Sequence, residues 1–426
     1  MRHRVAGVVL VLVGLVAALA PWLPLWSFEP LAWWPPVAVG LALLWWRWGD
    51  RLPRWPLGAW LSRGFVVDVG VGLLAFGLCW VARDNSRSGD FQRVIFDIQH
   101  GVNFLEAEPL SPWMMGRLGE ATKILGDPSV AGLQSLLCLW GALGFVALRR
   151  LALELCAERE RLVPACFALL VATGSNALLF AHVETYTFSG VCMLWSMLFA
   201  LRWLRGRGGP VLAIVFAALA CAFHMQVLVL FPALLMVTAW SRTEPSARRA
   251  QLLAWLGTAA FLVAVQRLCA ANPPPYPQHF GGGDGRMLVP TAQWFSPGHL
   301  LGVFNELFLL APGALPVLAA FGVGWSPAHL RAAPSPAAEA QRSFAALACG
   351  GWLALAWAWN PDLGAWHDWD LFAGLGWVLT LWSAASLLRL EEVQARRWLG
   401  ALALLSAARS VPFVWANHLG PVTGLH

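Results

Sequence analysis

Charge is what this sequence of 426 residues has least of. Asp, Glu, Lys and Arg together make up 12% of it, against ~25% in a soluble domain. Lysine occurs once, at Lys123, beside 28 arginines, a bias of a GC-rich genome more than of chemistry. The net charge of +6 is broken into small basic clusters between apolar runs, which argues against a nucleic-acid partner. No two of the eight cysteines form a CxxC pair, and nearly all lie inside apolar runs. They read as small buried hydrophobes, not as a disulfide or zinc framework. A P-loop, GxSxG, HExxH and a GxGxxG opening a helix after a strand are all missing. "GGGDG" (Gly281–Gly285) is only a loop signal, and "HVE" and "DWD" are not zinc motifs by spacing.

What is present is apolar. Mean hydropathy is +0.62 and 58% of residues are hydrophobic. Runs long enough to cross a bilayer recur along the whole length, so the chain reads as a polytopic all-α membrane bundle. The apolar segments fall at about 5–26, 30–48, 64–82, 130–148, 162–181, 186–204, 210–223, 226–240, 250–271, 300–323, 343–358, 371–388 and 398–415. That predicts about 13 spans, with 11 as the lower bound. The N-terminal run has a basic start and an "ALA" like a signal peptide; because apolar sequence continues past it, an uncleaved first span is expected.

Sidedness follows from arginine. With the N-terminus in the cytoplasm and sides alternating, 21 of the 29 basic residues fall on the cytoplasmic side, a strong positive-inside pattern. The stretch 210–240 is too long for one span of ~20 residues and short for two. Read as a single span it would turn "SRTEPSARR" outward. Two short helices meeting at "AFHMQV" (Ala222–Val227) are therefore expected. The outer side collects eight of the ten histidines and most carboxylates. Its longest loop, 83–129, alternates apolar and charged residues at helical spacing, which suits helices lying at the interface. The outer loop Asn272–His299 is rich in Pro and Gly and should be irregular.

Five polar stretches converge on that side: "RSGDFQR" with Asp90 and Arg93, "EAEPLSP" with Glu108, "AHVETYTF" with His182 and Glu184, "FHMQ" with His224, and "HDWD" with His367, Asp368 and Asp370. Any one of them reads well as an ordinary wet loop, and His224 as a helix-end histidine. The set is harder to dismiss. "AHVETY" leaves almost no loop between spans, and an ionised carboxylate pushed toward hydrocarbon costs roughly 2.5–3.5 kcal/mol. Such groups face a cavity. Carboxylates there can act as a general base or hold a divalent cation such as Mg or Mn; arginines suit a phosphate. Together they fit transfer of a group from a lipid-linked phosphate to a hydroxyl. Asp68 and Glu306, inside apolar runs, carry no site assignment.

The motifs Gly89-Asp90, "EPL" (Glu108–Leu110), "HVETY" (His182–Tyr186), "FSPGHLLGVFNELFLLAP" (Phe295–Pro312) and "DWDLF" (Asp368–Phe372) resemble, in order and sidedness, the GT-C integral-membrane glycosyltransferases. Within these the chain resembles the protein mannosyltransferase and RgtA-like group of bacterial members. The likeness covers roughly residues 64–390. It implies a polyprenyl-phosphate-linked sugar donor, a hydroxyl acceptor on a glycan, lipid or protein, inversion at the sugar carbon, and Asp90 as base. Glu184 and Glu108 are the other catalytic candidates, with His182, Arg93, His224, His279, His367, Asp368 and Asp370 as candidates for substrate binding. Some relatives use a divalent metal and others do not. Two departures stand out: residues 1–63 add two spans before the 64–426 catalytic unit, and Asp84 competes with Asp90. The expected setting is a bacterial inner membrane with the site facing the periplasm. The competing readings are a lipid-linked transferase or ligase with a catalytic His182 or His367, and a secondary transporter. The transporter would place its acids near the midplane, often within an inverted repeat; neither is seen here.

Overall fold

A computed structural model describes residues 34–48, 64–86, 91–124, 130–240, 245–276, 286–322, 335–361 and 369–420. Among them the architecture is helical, and the one β-contact is an isolated bridge between Leu288 and Trp359. The helices are α1 (Trp34–Trp48), α2 (Gly64–Val81), α3 (Phe91–His100), α4 (Ser111–Ile124), α5 (Val130–Leu155), α6 (Val163–Val171), α7 (Tyr186–Leu204), α8 (Val211–Phe223), α9 (Phe231–Trp240), α10 (Pro245–Ala271), α11 (Pro297–Leu310), α12 (Leu315–Gly322), α13 (Pro336–Ala358), α14 (Ala373–Leu387) and α15 (Glu392–Leu419). Among the described residues, six helical stretches are long and apolar enough to span a bilayer: Gly64–Val81, Val130–Leu155, Tyr186–Leu204, Arg248–Ala271, Trp369–Leu387 and Glu392–Leu419. Shorter apolar helices fill in between them. The apolar segments from 30–48 onward are helical where described, except that 162–181 breaks after Val171 and 300–323 breaks between Leu310 and Leu315, where one span was expected in each; the first, 5–26, lies outside the described residues.

The layers follow from which helices hide their side chains. Nearly all of α14 is buried, with α13, α11 and α7 packed around it. Helix α5 packs between α2 and α7, α15 lies along α1 and α6, and α9 packs on α13. Helices α2 and α10 are peripheral and point Phe65, Leu73, Leu74, Leu252, Leu253 and Val263 outward, apolar faces that suit lipid. All eight cysteines are buried and free, as the sequence led us to expect.

Glycine decides the closest approaches. A Cβ at Gly141 would lie 2.0 Å from the Leu179 carbonyl oxygen, and one at Gly174 would lie 1.9 Å from that of Leu309. These positions let the 3-10 segment Gly174–Leu179 thread the centre of the bundle, in place of a full span over 162–181. The long loop forms two short helices, α3 and α4. The 210–240 stretch breaks as expected: α8 ends at extended His224, a 3-10 turn follows over Met225–Leu230, and α9 resumes.

A buried ion cluster holds the opposite end of α2. Asp68 pairs with both Arg149, whose side chain is fully buried, and Arg150. This satisfies a carboxylate inside an apolar run and explains Asp68 without a site.

Candidate active site

The site is assembled by three segments that leave their helices at the same end of the bundle. The first runs out of α2 in extended form. Asp84 N–H donates to the Phe180 carbonyl at 2.8 Å, Asn85 N–H to that of Asn417 at 2.9 Å, and the Asn85 amide to the His418 carbonyl at 2.9 Å. The Gln134 amide donates to the Asp84 carbonyl. Residues 83–86 are thus sewn to α5, to the chain before α7 and to the end of α15. Ser86 N–H donates to Asp84 Oδ1 at 2.7 Å, a local turn that fixes the carboxylate.

The second segment is Phe180–Thr185. Ala181 takes φ +57°, the left-handed region that costs a side-chain-bearing residue roughly 1–2 kcal/mol. Glu184 N–H donates to the His182 carbonyl at 2.9 Å, and Thr187 Oγ1 to that of Leu178 at 3.1 Å. The tight fold carries His182 and Glu184 inside, 2% and 0% exposed. The third segment is the 3-10 turn Trp369–Phe372, which delivers buried Asp370 at the start of α14.

His182 joins the three. Its Nδ1 lies 2.5 Å from Asp84 Oδ2 and its Nε2 3.1 Å from Asp370 Oδ2. Trp369 covers the imidazole at 5.2 Å between centroids, and Asp370 Oδ1 accepts from Leu371 N–H at 2.9 Å. Burial alone would raise the Asp84 carboxyl, but the charge of His182 and hydrogen bonds from His182 and Ser86 outweigh it and hold the group below the usual carboxylate range. Burial alone would lower His182; the charge of Asp84 and hydrogen bonds to Asp370 and Asp84 reverse that and lift the imidazole well above its ordinary value.

A polar annex adjoins this core. The "EPL" strip docks on the α8–α9 break: Met225 N–H donates to the Ala107 carbonyl at 2.8 Å and Leu110 N–H to that of Ala222 at 2.9 Å. Ser111 Oγ reaches the carbonyls of Phe223 at 2.7 Å and Thr185 at 3.2 Å. Glu108, 4% exposed, is ion-paired with Arg93 of α3. His224 Nδ1 accepts from Gln226 N–H at 3.3 Å, and its imidazole lies 4.6 Å from the Tyr186 ring. Burial and then the charge of Arg93 push His224 down to about 3, against a smaller upward pull from Asp370. The group is therefore neutral, with its proton on Nε2. Tyr276 donates to Asp97 of α3 at 2.6 Å, and Val289 N–H to the Ala358 carbonyl at 2.9 Å, so both described ends of the Pro/Gly-rich loop are anchored.

Of the candidate residues, His182, Glu184 and Asp370 come together, with Arg93, Glu108 and His224 beside them. Asp90, His279, His367 and Asp368 lie outside the described residues. Asp84 is the site residue whose role the sequence does not reveal: there it stands only as a rival base to Asp90, and in the structure it faces His182 across 98 positions. The acid directly after a span was the available signal.

His182, Glu184 and Asp370 each offer one ligand atom within 4.8 Å of the others. One imidazole nitrogen with two carboxylates suits Mn or Zn better than Mg, which prefers oxygen and water. Asp84 behind Nδ1 is the carboxylate that a metal-bound histidine usually has. The residues fit a divalent cation, which would take the place of the proton on Nε2.

No family model and no curated protein matches this sequence. Among solved structures, the crystal structure of ArnT from Cupriavidus metallidurans in the apo state is similar, with a TM-score of 0.51 and 13% identity over 83% of this chain and 76% of that one. At that identity the likeness is one of fold, and it does not single out the protein mannosyltransferase and RgtA-like group. The chain is a multi-pass membrane protein by the length and apolarity of its helices, and its described helical bundle shares the fold of that ArnT structure.

Proposed function

We propose that the protein is a membrane glycosyltransferase that moves a sugar from a polyprenyl-phosphate-linked donor to a hydroxyl acceptor on the outer face of a bacterial inner membrane. The observation that carries this reading is the burial of Asp84, His182, Glu184 and Asp370 as one cluster at the loop end of a GT-C fold. Four ionisable groups held out of water are costly for a bundle to keep, and they favour a reaction over a wet loop. ArnT, the solved structure of similar fold, supports the reaction class.

In the step proposed, the acceptor oxygen bonds to the anomeric carbon from the side opposite the leaving group. Its proton passes to a carboxylate. The bond between the anomeric carbon and the phosphate oxygen breaks, its electron pair stays on the phosphate, and configuration inverts. Asp84 and Glu108 are poor candidates for the base, because His182 and Arg93 already hold them. This favours Asp90, with Glu184 second. A divalent cation bound by His182, Glu184 and Asp370 would neutralise charge on the departing phosphate. The ligase reading through His182 loses ground because both of its nitrogens face carboxylates.

The test uses purified protein in lipid nanodiscs with a panel of polyprenyl-phosphate sugars and follows release of polyprenyl phosphate. Release by the wild type that falls by about 10²-fold or more in Asp90→Asn is the expected result. Equal release by both would remove Asp90 from its role, and no release from any donor would overturn the class.

A further inference from the structure

Beside Asp370, between α7, α13, α14 and the 3-10 turn after His224, lies a small chamber. Two tryptophans form its walls, and two glycines make room for them. A Cβ at Gly190 would lie 2.5 Å from the Trp377 ring, and one at Gly374 would lie 2.2 Å from that of Trp352. The two indoles differ in one respect. Trp377 Nε1 donates to Asn176 Oδ1 at 2.8 Å. Trp352 is fully buried and its Nε1 has no hydrogen-bond partner among the described residues. Across the chamber the Gln226 Oε1 is likewise buried without a partner. The residues that carry one orphan donor, one orphan acceptor and a carboxylate therefore line a space with room for about one water molecule.

Buried polar groups in native proteins are almost always paired, so this inventory sets the chemistry of a fitting partner. It is one oxygen that accepts from an indole N–H and donates to an amide carbonyl or a carboxylate. Water and an alcohol both qualify, whereas an ether, a methyl group or a phosphate oxygen does not. Resting on the glycosyltransferase reading above, we propose that this chamber reads a single hydroxyl of the donor sugar, with water standing in its place before the donor binds. Trp352 and Gln226 are then specificity-determining residues. A site built to hydrogen-bond a hydroxyl rejects the analogue lacking it far more strongly than an apolar pocket rejects a methylene, by roughly 10⁴-fold at the upper end. The glycines serve the same end, since either Cβ would displace an indole that walls the space.

Two measurements test this. The first is a structure of the wild-type chain at a resolution that shows buried water. An oxygen bridging Trp352 Nε1 and Gln226 Oε1 is expected; a dry chamber, with other buried waters visible, overturns the proposal whatever the enzymology gives. The second takes the best polyprenyl-phosphate sugar from the donor panel, with its set of monodeoxy analogues. One position should lose at least about 100-fold in kcat/KM in the wild type. Trp352→Phe and Gln226→Leu should each shrink that penalty by about tenfold or more while leaving the other positions alone. Gln226→Leu keeps the test open if the core Trp352→Phe variant fails to fold. Penalties unchanged in both variants overturn the proposal. Failure of every donor overturns the glycosyltransferase reading and the sugar with it, and the bridging oxygen then stands as bound water alone.

Discussion

Acid should loosen this fold through His224. The imidazole is 7% exposed. Burial, then the charge of Arg93, push it down to about 3, whereas in an unfolded chain it titrates near ~6.5. The folded value is depressed, which fixes the sign. Above pH ~6.5 neither state carries this proton and the full stability is present. Below it the unfolded chain takes up the proton and the native site does not, so stability falls by about 1.4 kcal/mol per pH unit until the native site itself titrates near 3. At pH 5 the loss is about 2 kcal/mol, and any native value below 5 gives nearly the same figure. Asn at this position keeps an oxygen for the Gln226 N–H and does not titrate. Equilibrium unfolding in mixed micelles at pH 7 and pH 5 compares the two proteins. The wild type should lose about 2 kcal/mol more than His224→Asn over that interval. Parallel losses, within about 0.5 kcal/mol, would refute the claim that His224 is held neutral by its surroundings.

Three further outcomes follow from the same geometry. Asp84→Asn should weaken Mn²⁺ binding by about 10- to 100-fold, read by EPR of the bound ion in purified protein; unchanged affinity would remove Asp84 from behind His182, and no binding by the wild type would remove the metal set. Arg93→Met leaves the Glu108 carboxylate buried without its guanidinium and should cost about 1–3 kcal/mol in unfolding free energy, less than a fully buried pair because Arg93 is one third exposed. The double variant with Glu108→Gln should recover much of that, and additive losses would contradict the pairing. Ala181→Gly relieves a left-handed residue at φ +57° and should leave stability unchanged or raise it by up to about 1 kcal/mol; a measurable loss would mean that the alanine methyl packs more favourably than its backbone is strained.

Much of this was legible because hydrophobic length and arginine placement are bilayer constraints written directly into composition. The break at His224 followed from a run too long for one span and too short for two. The burial of His182 and Glu184 followed from "AHVETY" leaving no room for a loop. Asp370 followed from "DWDLF" running straight into a span. The centre of 162–181 was not legible: nothing in its composition shows that Gly174–Leu179 forms a 3-10 thread, because that depends on glycines meeting carbonyls of distant helices. The pairing of Asp84 with His182 was equally hidden, since it depends on three-dimensional register. The Arg93–Glu108 pair was equally hidden: the sequence marks Arg93 as a substrate-binding candidate and Glu108 as a catalytic one, and nothing in it joins the two.

The bridge made by His182 also bears on how the chain is built. Asp84 precedes His182 by 98 positions and Asp370 follows it by 188; Asn417, which receives Asn85, lies later still. Spans entering the membrane in order of synthesis therefore carry an incomplete polar centre until the last third of the protein is made. Through that interval Asp84 and His182 have each other, while the place of Asp370 is open to water or lipid headgroups. The C-terminal helices thus act as the closing step of assembly, and a chain cut short before them would be left with a polar seam for membrane quality control to read.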